Sequence, residues 1–517
     1  MRKSVTENPI EKKYEQIVNI ILLISIINLL IYVFTLYYTS YGIFRDELYY
    51  IACANRPAFG YVDHPPLSIW ILAIWKILLG DSLFVIRLLP AFISSASIFI
   101  LGLFTLRLGG GKSAVIISTV TFMLTPIFLG MTTIYSMNVF DFFFWILAAY
   151  IFLQILESSN NKLWYALGIV IGFGLLNKTS ILWLVAGVFA GTLFTPLRED
   201  LKTKYPYIAA IIALLIFSPY IIWNLFNDFA HLEFMRNAAA YKYGGLTPLS
   251  FILDMILILN PLSFFIWIPG LIFYFFNKNA RIFRPLGYIW LVTFAILFIN
   301  WHSKAEYLAP AFQILFAGGA VMIVHWNARI PRLKYALVIP VIVLSLIIAP
   351  LARPLLPIQT FISYQSVMEL KAPNNEGHST ELPQFYADMF GWESLAKNVS
   401  KVYQSLPDEE KKHTVIYCNN YGEAGAIEYF SKKYKLPKVV CPHNNYWYWW
   451  PEKSYAATVI IIGGEAEQHL DALEQCELAA IHKVMYAMPY ENNLKIFIGK
   501  GLKIPLQKIK QKLKIFI

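Results

Sequence analysis

Six ionisable side chains crowd one short stretch of this chain, between two apolar runs. They are Arg45, Asp46, Glu47, Arg56, Asp63 and His64, within YGIFRDELYYIACANRPAFGYVDHPPLS. Ionisable groups at membrane depth are costly, so they normally line a pathway or a site. Asp46 and Glu47 are adjacent carboxylates beside the Arg45 cation. Such a carboxylate can take the proton of an attacking hydroxyl as a general base, while its neighbour holds a substrate or a metal ion. Asp63 and His64 form a second polar knot, with Pro65 and Pro66 restricting the backbone behind it. His64 is a candidate hydrogen-bond donor or metal ligand, and equally a structural histidine.

Further candidates lie downstream. Asp141 follows Tyr135, Ser136 and Asn138 at the start of an apolar run, FDFFFWILAAY, and an acid there should face the interior of a helix bundle. The alternative is a helix-start residue paired with Asn138. His231, Glu233 and Arg236 share one polar segment. Lys304 stands with His302 and Glu306 in NWHSKAEYLAP. A lysine can neutralise a phosphate as a point charge, or simply extend its head to water from a membrane edge. Lys304, Arg45 and Arg236 are the candidate phosphate ligands.

The elements that must carry these residues follow from composition. The chain has 517 residues, of which 57% are hydrophobic and only 15% charged. Its mean hydropathy is +0.53. A soluble globular chain carries about 25% charged residues, so this is an integral membrane protein with many spans. A crossing needs about 20 apolar residues. Spans are expected at 17–38, 84–106, 113–131, 134–156, 163–177, 179–196, 206–224, 251–275, 285–300, 306–325 and 335–350, about eleven in all. Residues 66–79 are shorter and read as an interfacial helix opened by proline.

Charge sets the orientation. Arg2, Lys3, Lys12 and Lys13 precede the first span, which places segment 1–16 in the cytoplasm and the first loop, 39–83, outside. The inward loops then hold Arg107, Lys112, Lys162, Arg198, Lys202, Lys204, Lys278, Arg281, Arg284, Arg329, Arg332 and Lys334. The outward ones hold fewer cations, Lys178 and Lys304 among them. The +11 net charge is thus a topology signal and not a nucleic-acid one. Residues 17–350 form the membrane domain, and a region from 351 to 517 lies outside.

That last region changes character. Helices are expected at 392–406, 422–434 and 465–476, and strands at 414–418, 438–441, 457–463 and 494–498. Alternating strands and helices describe a small α/β domain with a partly parallel sheet. A basic amphipathic tail at 503–514 suits anionic headgroups. The aromatic run YWYWWP suits either the lipid interface or a glycan or protein partner. Cys418 and Cys441 are a candidate disulfide or a reduced buried pair. The domain shows no catalytic set of its own and is expected to shape acceptor entry.

No phosphate loop, dinucleotide fingerprint, zinc spacing or nucleophile elbow is present. The motifs FRDELYYIACA, GYVDHPPL and KAEYLAPAF, in that order, resemble glycosyltransferase family 39. That family includes protein O-mannosyltransferases and the aminoarabinose transferases that modify lipid A. The resemblance implies the multi-span GT-C fold and inverting transfer of a sugar from a polyprenyl-phosphate carrier to an acceptor on protein, lipid or envelope glycan. It implies that Asp46 is the catalytic base with Glu47 beside it, that Lys304 lies near the carrier phosphate, and that Tyr307 belongs to the same segment. Asp141 and His231 match it loosely. A divalent metal is found in some relatives. The setting it implies is a bacterial inner membrane. Competing readings are a lipid or polyol transporter or flippase, whose buried charges sit near the midplane on broken helices, and a non-catalytic envelope-assembly protein.

Overall fold

The computed structural model of the chain describes residues 9–39, 41–158, 160–300, 303–368, 381–451 and 457–517. It falls into two compact units, each discontinuous in sequence. The first takes Met1–Tyr38, Phe84–Ile222 and Ala239–Leu355. The second takes Thr39–Leu83, Trp223–Ala238 and Leu356–Ile517. His302 and most of the N-terminal segment lie outside the described residues.

The first unit is a helical bundle. Among the described residues, seven helices are long and apolar enough to cross a membrane, or nine if each of two bent pairs is one span. The chain is therefore a multi-pass membrane protein. Each expected span overlaps a helix, but Lys112–Leu124 and Leu163–Asn177 are too short for the full crossing, and at 179–196 helix Ile181–Leu193 meets Pro196–Lys202 at a bend of 103°. The expected 251–275 span is broken. Helices Pro248–Ile258 and Pro261–Phe276 meet at 90°, where Asn260 adopts φ +77°. The Asn260 amide donates to Val341 O at 3.0 Å and Ser345 Oγ at 2.7 Å. Its oxygen accepts the Leu262 N–H at 2.9 Å, so the break is closed by its own side chain.

Lipid tails are as apolar as leucine, so helices in a bilayer associate through close packing. Gly187 and Gly191, four apart on Ile181–Leu193, lie on Ile289 and Pro285 of Arg284–Ile299. A Cβ at either glycine would run into that backbone. At the centre, helix Ala309–Arg329 is buried along most of its length.

The second unit joins the first loop to the C-terminal domain. The loop contains a helix, Arg45–Ala54, then Leu67–Leu79. The domain has one sheet of strands β1 (Thr414–Cys418), β2 (Val439–Val440), β3 (Thr458–Ile462), β4 (Leu473–His482) and β5 (Leu494–Leu502). Their order is β2-β1-β3-β5-β4. β1 runs parallel to β2 and β3, while β5 is antiparallel to β3 and β4. The mixed α/β character is as expected. The helix expected at 465–476 is not, since only Ala466–His469 is helical and β4 begins at Leu473. Glu, Gln, Leu and Ala favour helix locally, but pairing with β5 from Leu473↔Leu502 to His482↔Leu494 overrides that preference.

Cys53, Cys418, Cys441 and Cys476 are all free thiols. The aromatic run turns inward. Tyr446 and Trp450 are buried, and Trp447 stacks edge-on against Phe516, which is itself buried with Val62 and Ala230. The basic tail forms helix Leu506–Lys512, and Leu506 sits in the sheet core.

The loop helix rests on domain helix Tyr421–Tyr429. A Cβ on Gly422 would stand 2.8 Å from Arg45 Cγ, and one on Gly425 2.8 Å from Leu48 Cβ. These two glycines permit the contact. Gly425→Ala is expected to destabilise the protein by about 1–3 kcal/mol through overpacking. Thermal unfolding in detergent checks this, and an unchanged melting temperature would show that the contact is loose.

Candidate functional site

The loop helix begins after Phe44, whose backbone is extended. Glu47 Oε2 accepts the Phe44 N–H at 2.9 Å, and the side chain is fully buried. Its carboxylate thus satisfies one of the amides that a helix N-terminus leaves open. Asp46 differs: its Oδ1 accepts the Tyr421 hydroxyl at 2.7 Å, and the residue is only partly buried. The Arg45 N–H donates to Asp388 O at 3.1 Å, and its guanidinium lies over the Tyr421 ring, 4.9 Å from the centroid. Burial disfavours the Arg45 charge, but Tyr421, Asp388, Glu491 and Asp46 outweigh it and its pKa is raised. Burial, then the Asp46 charge, pushes the Tyr421 phenol well above its ordinary value. Tyr421 therefore stays protonated and donates.

Asp63 is held in the same manner. Tyr49, one turn along from Asp46, donates its hydroxyl to Asp63 Oδ1 at 2.8 Å. The Tyr49 and Tyr421 rings lie 5.1 Å apart, so two neighbouring phenols each hold one aspartate. Asn445 Oδ1 accepts the Val62 N–H at 2.7 Å. His231 Nδ1 lies 3.0 Å from Val62 O, and against a carbonyl that nitrogen must carry the proton. Burial lowers the His231 pKa, which keeps the ring neutral. His64 is buried and stacked on Tyr50, with centroids 4.9 Å apart. Its Nε2 is 3.9 Å from Asp63 Oδ1, beyond hydrogen-bond range. Arg236 is exposed on helix Ala230–Asn237. The second unit thus brings together Arg45, Asp46, Asp63, His64 and His231.

The first unit gathers Asp141, Lys304 and Tyr307 into another polar cluster. Ser180 Oγ donates to Asp141 at 3.0–3.1 Å to either oxygen, and Lys178 Nζ is 3.5 Å from Asp141 Oδ2. Lys178 also donates to Asn138 Oδ1 at 2.8 Å and lies 5.2 Å from the Tyr307 centroid. The Tyr307 hydroxyl is 2.9 Å from that of Tyr243. Lys304, exposed, approaches the Tyr243 ring at 5.6 Å and Glu306 at 3.8 Å. A small recess opens among Asn138, Asp141, Lys178, Glu306, Tyr307 and Pro310. Asp141 faces the interior as expected, but Asn138 binds Lys178 and not the acid.

Several of these residues escape sequence reasoning. Lys178 reads there only as a loop cation, although the Asn177-Lys178 break between two short spans was a usable signal. Tyr421, Glu423, Glu491 and Asn445 belong to a domain without a recognisable motif. Glu423 is buried, with Oε2 accepting the Asn419 N–H at 2.8 Å. The Asn420 amide donates to Glu423 Oε1 at 3.1 Å and Glu491 Oε1 at 3.0 Å. Burial, then the nearby Glu491, raises the Glu423 pKa well above its ordinary value. Among the described residues, no three His, Cys, Asp or Glu side chains converge as a metal centre.

A family model described as dolichyl-phosphate-mannose-protein mannosyltransferase matches residues 63–223. No curated protein matches the chain in sequence. The fold is similar to that of ArnT from Cupriavidus metallidurans. The crystal structure bound to undecaprenyl phosphate gives a TM-score of 0.57 at 10% identity, covering 93% of this chain and 98% of that one. The apo structure gives 0.60 at 11% identity with the same coverage. The chain has the GT-C membrane fold.

Two outcomes follow from this geometry. Removing one partner of a buried ion pair strands the other charge, so Lys178→Ala is expected to cost about 3 kcal/mol. The Asp141→Asn/Lys178→Ala double variant should melt above Lys178→Ala alone, and additive losses would dissolve the pair. The second concerns pH. Glu423 has a raised pKa in the folded state, so its contribution is fully present below about 4.5 and is lost as pH rises through the folded value. Glu423→Gln should therefore flatten the decline in melting temperature above pH 4.5 and melt higher than wild type at pH 8.

Proposed function

We propose that this protein transfers a sugar from a polyprenyl-phosphate carrier to an acceptor hydroxyl or phosphate, with inversion and with Asp46 as general base. The observation that carries the reading is the setting of Asp46. It is a partly exposed carboxylate with one oxygen held at 2.7 Å by a phenol that stays protonated, beside a charged arginine. The GT-C fold supports it, as does the undecaprenyl phosphate bound by the structurally similar ArnT.

In this mechanism the acceptor oxygen attacks the anomeric carbon as its proton passes to Asp46. The bond from that carbon to the phosphate oxygen breaks, and the electron pair leaves with the polyprenyl phosphate. Charge grows on the departing phosphate, and aimed cations are often the largest catalytic contribution at such a point. Arg45 and Arg236, in the same unit as Asp46, are assigned this role by charge. Asp63, His64 and His231 are supporting residues, and Glu47 holds the helix that bears the base. The basic inward loops favour a cytoplasmic N-terminus and an extracytoplasmic C-terminal domain in a bacterial inner membrane.

A transporter would use a broken helix to line a substrate cavity. The break at Asn260 is instead sealed by bonds to Val341 and Ser345.

The test is turnover of radiolabelled undecaprenyl-phosphate pentoses and hexoses by purified protein in detergent. Asp46→Asn is expected to lose roughly 100- to 10,000-fold in rate, the usual contribution of general-base catalysis. Equal rates would remove Asp46 as the base. No turnover with any donor, combined with lipid movement in proteoliposomes, would favour the transporter.

A further inference from the structure

We infer that Tyr421, from the C-terminal α/β domain, is a positioning residue for the reaction: its hydroxyl holds the Asp46 carboxylate in the orientation that receives the acceptor's proton. The inference rests on the reading of Asp46 as the base. It makes the C-terminal domain part of the catalytic apparatus and not only a guide for the acceptor.

Three independent features place Tyr421. Asn420 caps the domain helix, its Oδ1 accepting the Gly422 and Glu423 N–H groups at 2.8 and 3.0 Å. This fixes the backbone on both sides of the tyrosine. Gly422 allows that helix start to press on Arg45, where a Cβ would meet Arg45 Cγ at 2.8 Å and the Trp392 ring at 3.0 Å. The ring itself is packed on three sides, by the Arg45 guanidinium at 4.9 Å, Tyr49 at 5.1 Å and His443 at 4.8 Å. His443 is anchored in turn by its Nε2 bond to Ile517 O at 2.9 Å. With ring and backbone both fixed, the hydroxyl has little freedom except toward Asp46.

The chemistry explains why a phenol serves here. A carboxylate base with no fixed partner has two equivalent oxygens and a free χ2 rotation. A donor fixed on Oδ1 removes that freedom and leaves Oδ2 as the oxygen to take the proton. A neutral donor does this without the full charge of a second cation, which would stabilise the carboxylate so far that it became a poor base. A phenol kept protonated by burial and by the aspartate's own charge meets that requirement. A hydrogen bond to a charged acceptor is among the stronger ones, and its loss leaves the carboxylate free to turn.

The experiment compares wild type, Tyr421→Phe, Asp46→Asn and a control, Tyr403→Phe, on whichever undecaprenyl-phosphate sugar the wild type turns over. Tyr403 lies in the same domain and donates its hydroxyl to Lys411 O at 3.2 Å. Its loss removes one domain hydrogen bond away from Asp46. Tyr421→Phe is expected to lower kcat roughly 10- to 100-fold, with KM for the donor within about 3-fold of wild type. Tyr403→Phe should leave kcat and KM unchanged. If Asp46→Asn is inactive while Tyr421→Phe keeps the wild-type kcat, the positioning inference fails and the base assignment stands. If Asp46→Asn retains full activity, the base assignment fails first. A thermal double-mutant cycle of Asp46→Ala with Tyr421→Phe needs no substrate. Coupled losses support the bond, and additive losses overturn it.

Discussion

Much of the second unit depends on one close approach, that of the loop helix Arg45–Ala54 to the domain helix Tyr421–Tyr429. Two glycines three residues apart, Gly422 and Gly425, turn bare backbone toward Arg45 and Leu48. Because residues three apart share a helix face, the contact is continuous along one turn. Only at that separation does a phenol at the start of the domain helix reach a carboxylate in the first turn of the loop helix. The 2.7 Å bond between Tyr421 and Asp46 and the Arg45 guanidinium over the Tyr421 ring both follow from it. A helix start is a natural place for such a carboxylate. The helix dipole favours negative charge there, and Glu47 already satisfies the Phe44 amide, leaving Asp46 for other work.

The first unit solves a different problem, since it must keep charge inside a bundle of apolar helices. Asp141 is met by a lysine, a serine hydroxyl and, through Lys178, an asparagine. A buried pair of this kind is a weak source of stability, because desolvation offsets most of the attraction. The pair lies at the edge of a recess that also holds Tyr307 and Glu306. The helices around it associate through small residues, which is how packing replaces the hydrophobic effect between membrane helices.

The motifs legible in the sequence divide between these two units. The acid and histidine knots of the first loop were visible as charges where charge is costly. Asp141 was visible for the same reason, as was the inward direction of its side chain. Partners were not visible. Nothing in NNYGEAG announces that its tyrosine will meet an aspartate 375 residues earlier. Lys178 could be counted as a loop cation from composition but not matched to Asp141. The expected helix at 465–476 failed because Glu, Gln, Leu and Ala favour helix until a neighbouring strand offers a full ladder of hydrogen bonds.

The amino-acid sequence by itself determined that this is a multi-pass membrane protein with a separate α/β region. It also determined roughly where the long apolar helices run and that its first loop carries carboxylates out of keeping with their apolar flanks. Those properties are local: hydropathy over about twenty residues, loop charge, and residue types at fixed spacing. Tertiary structure alone decided that Glu47 is committed to a helix start, that Asp46 and Asp63 are each held by a phenol, and that the 251–275 span breaks at Asn260. It also decided that the C-terminal domain shares a unit with the first loop. These are pairings between residues far apart in the chain. They depend on which surfaces pack closely enough for a hydrogen bond, and no periodicity in the sequence encodes that distance.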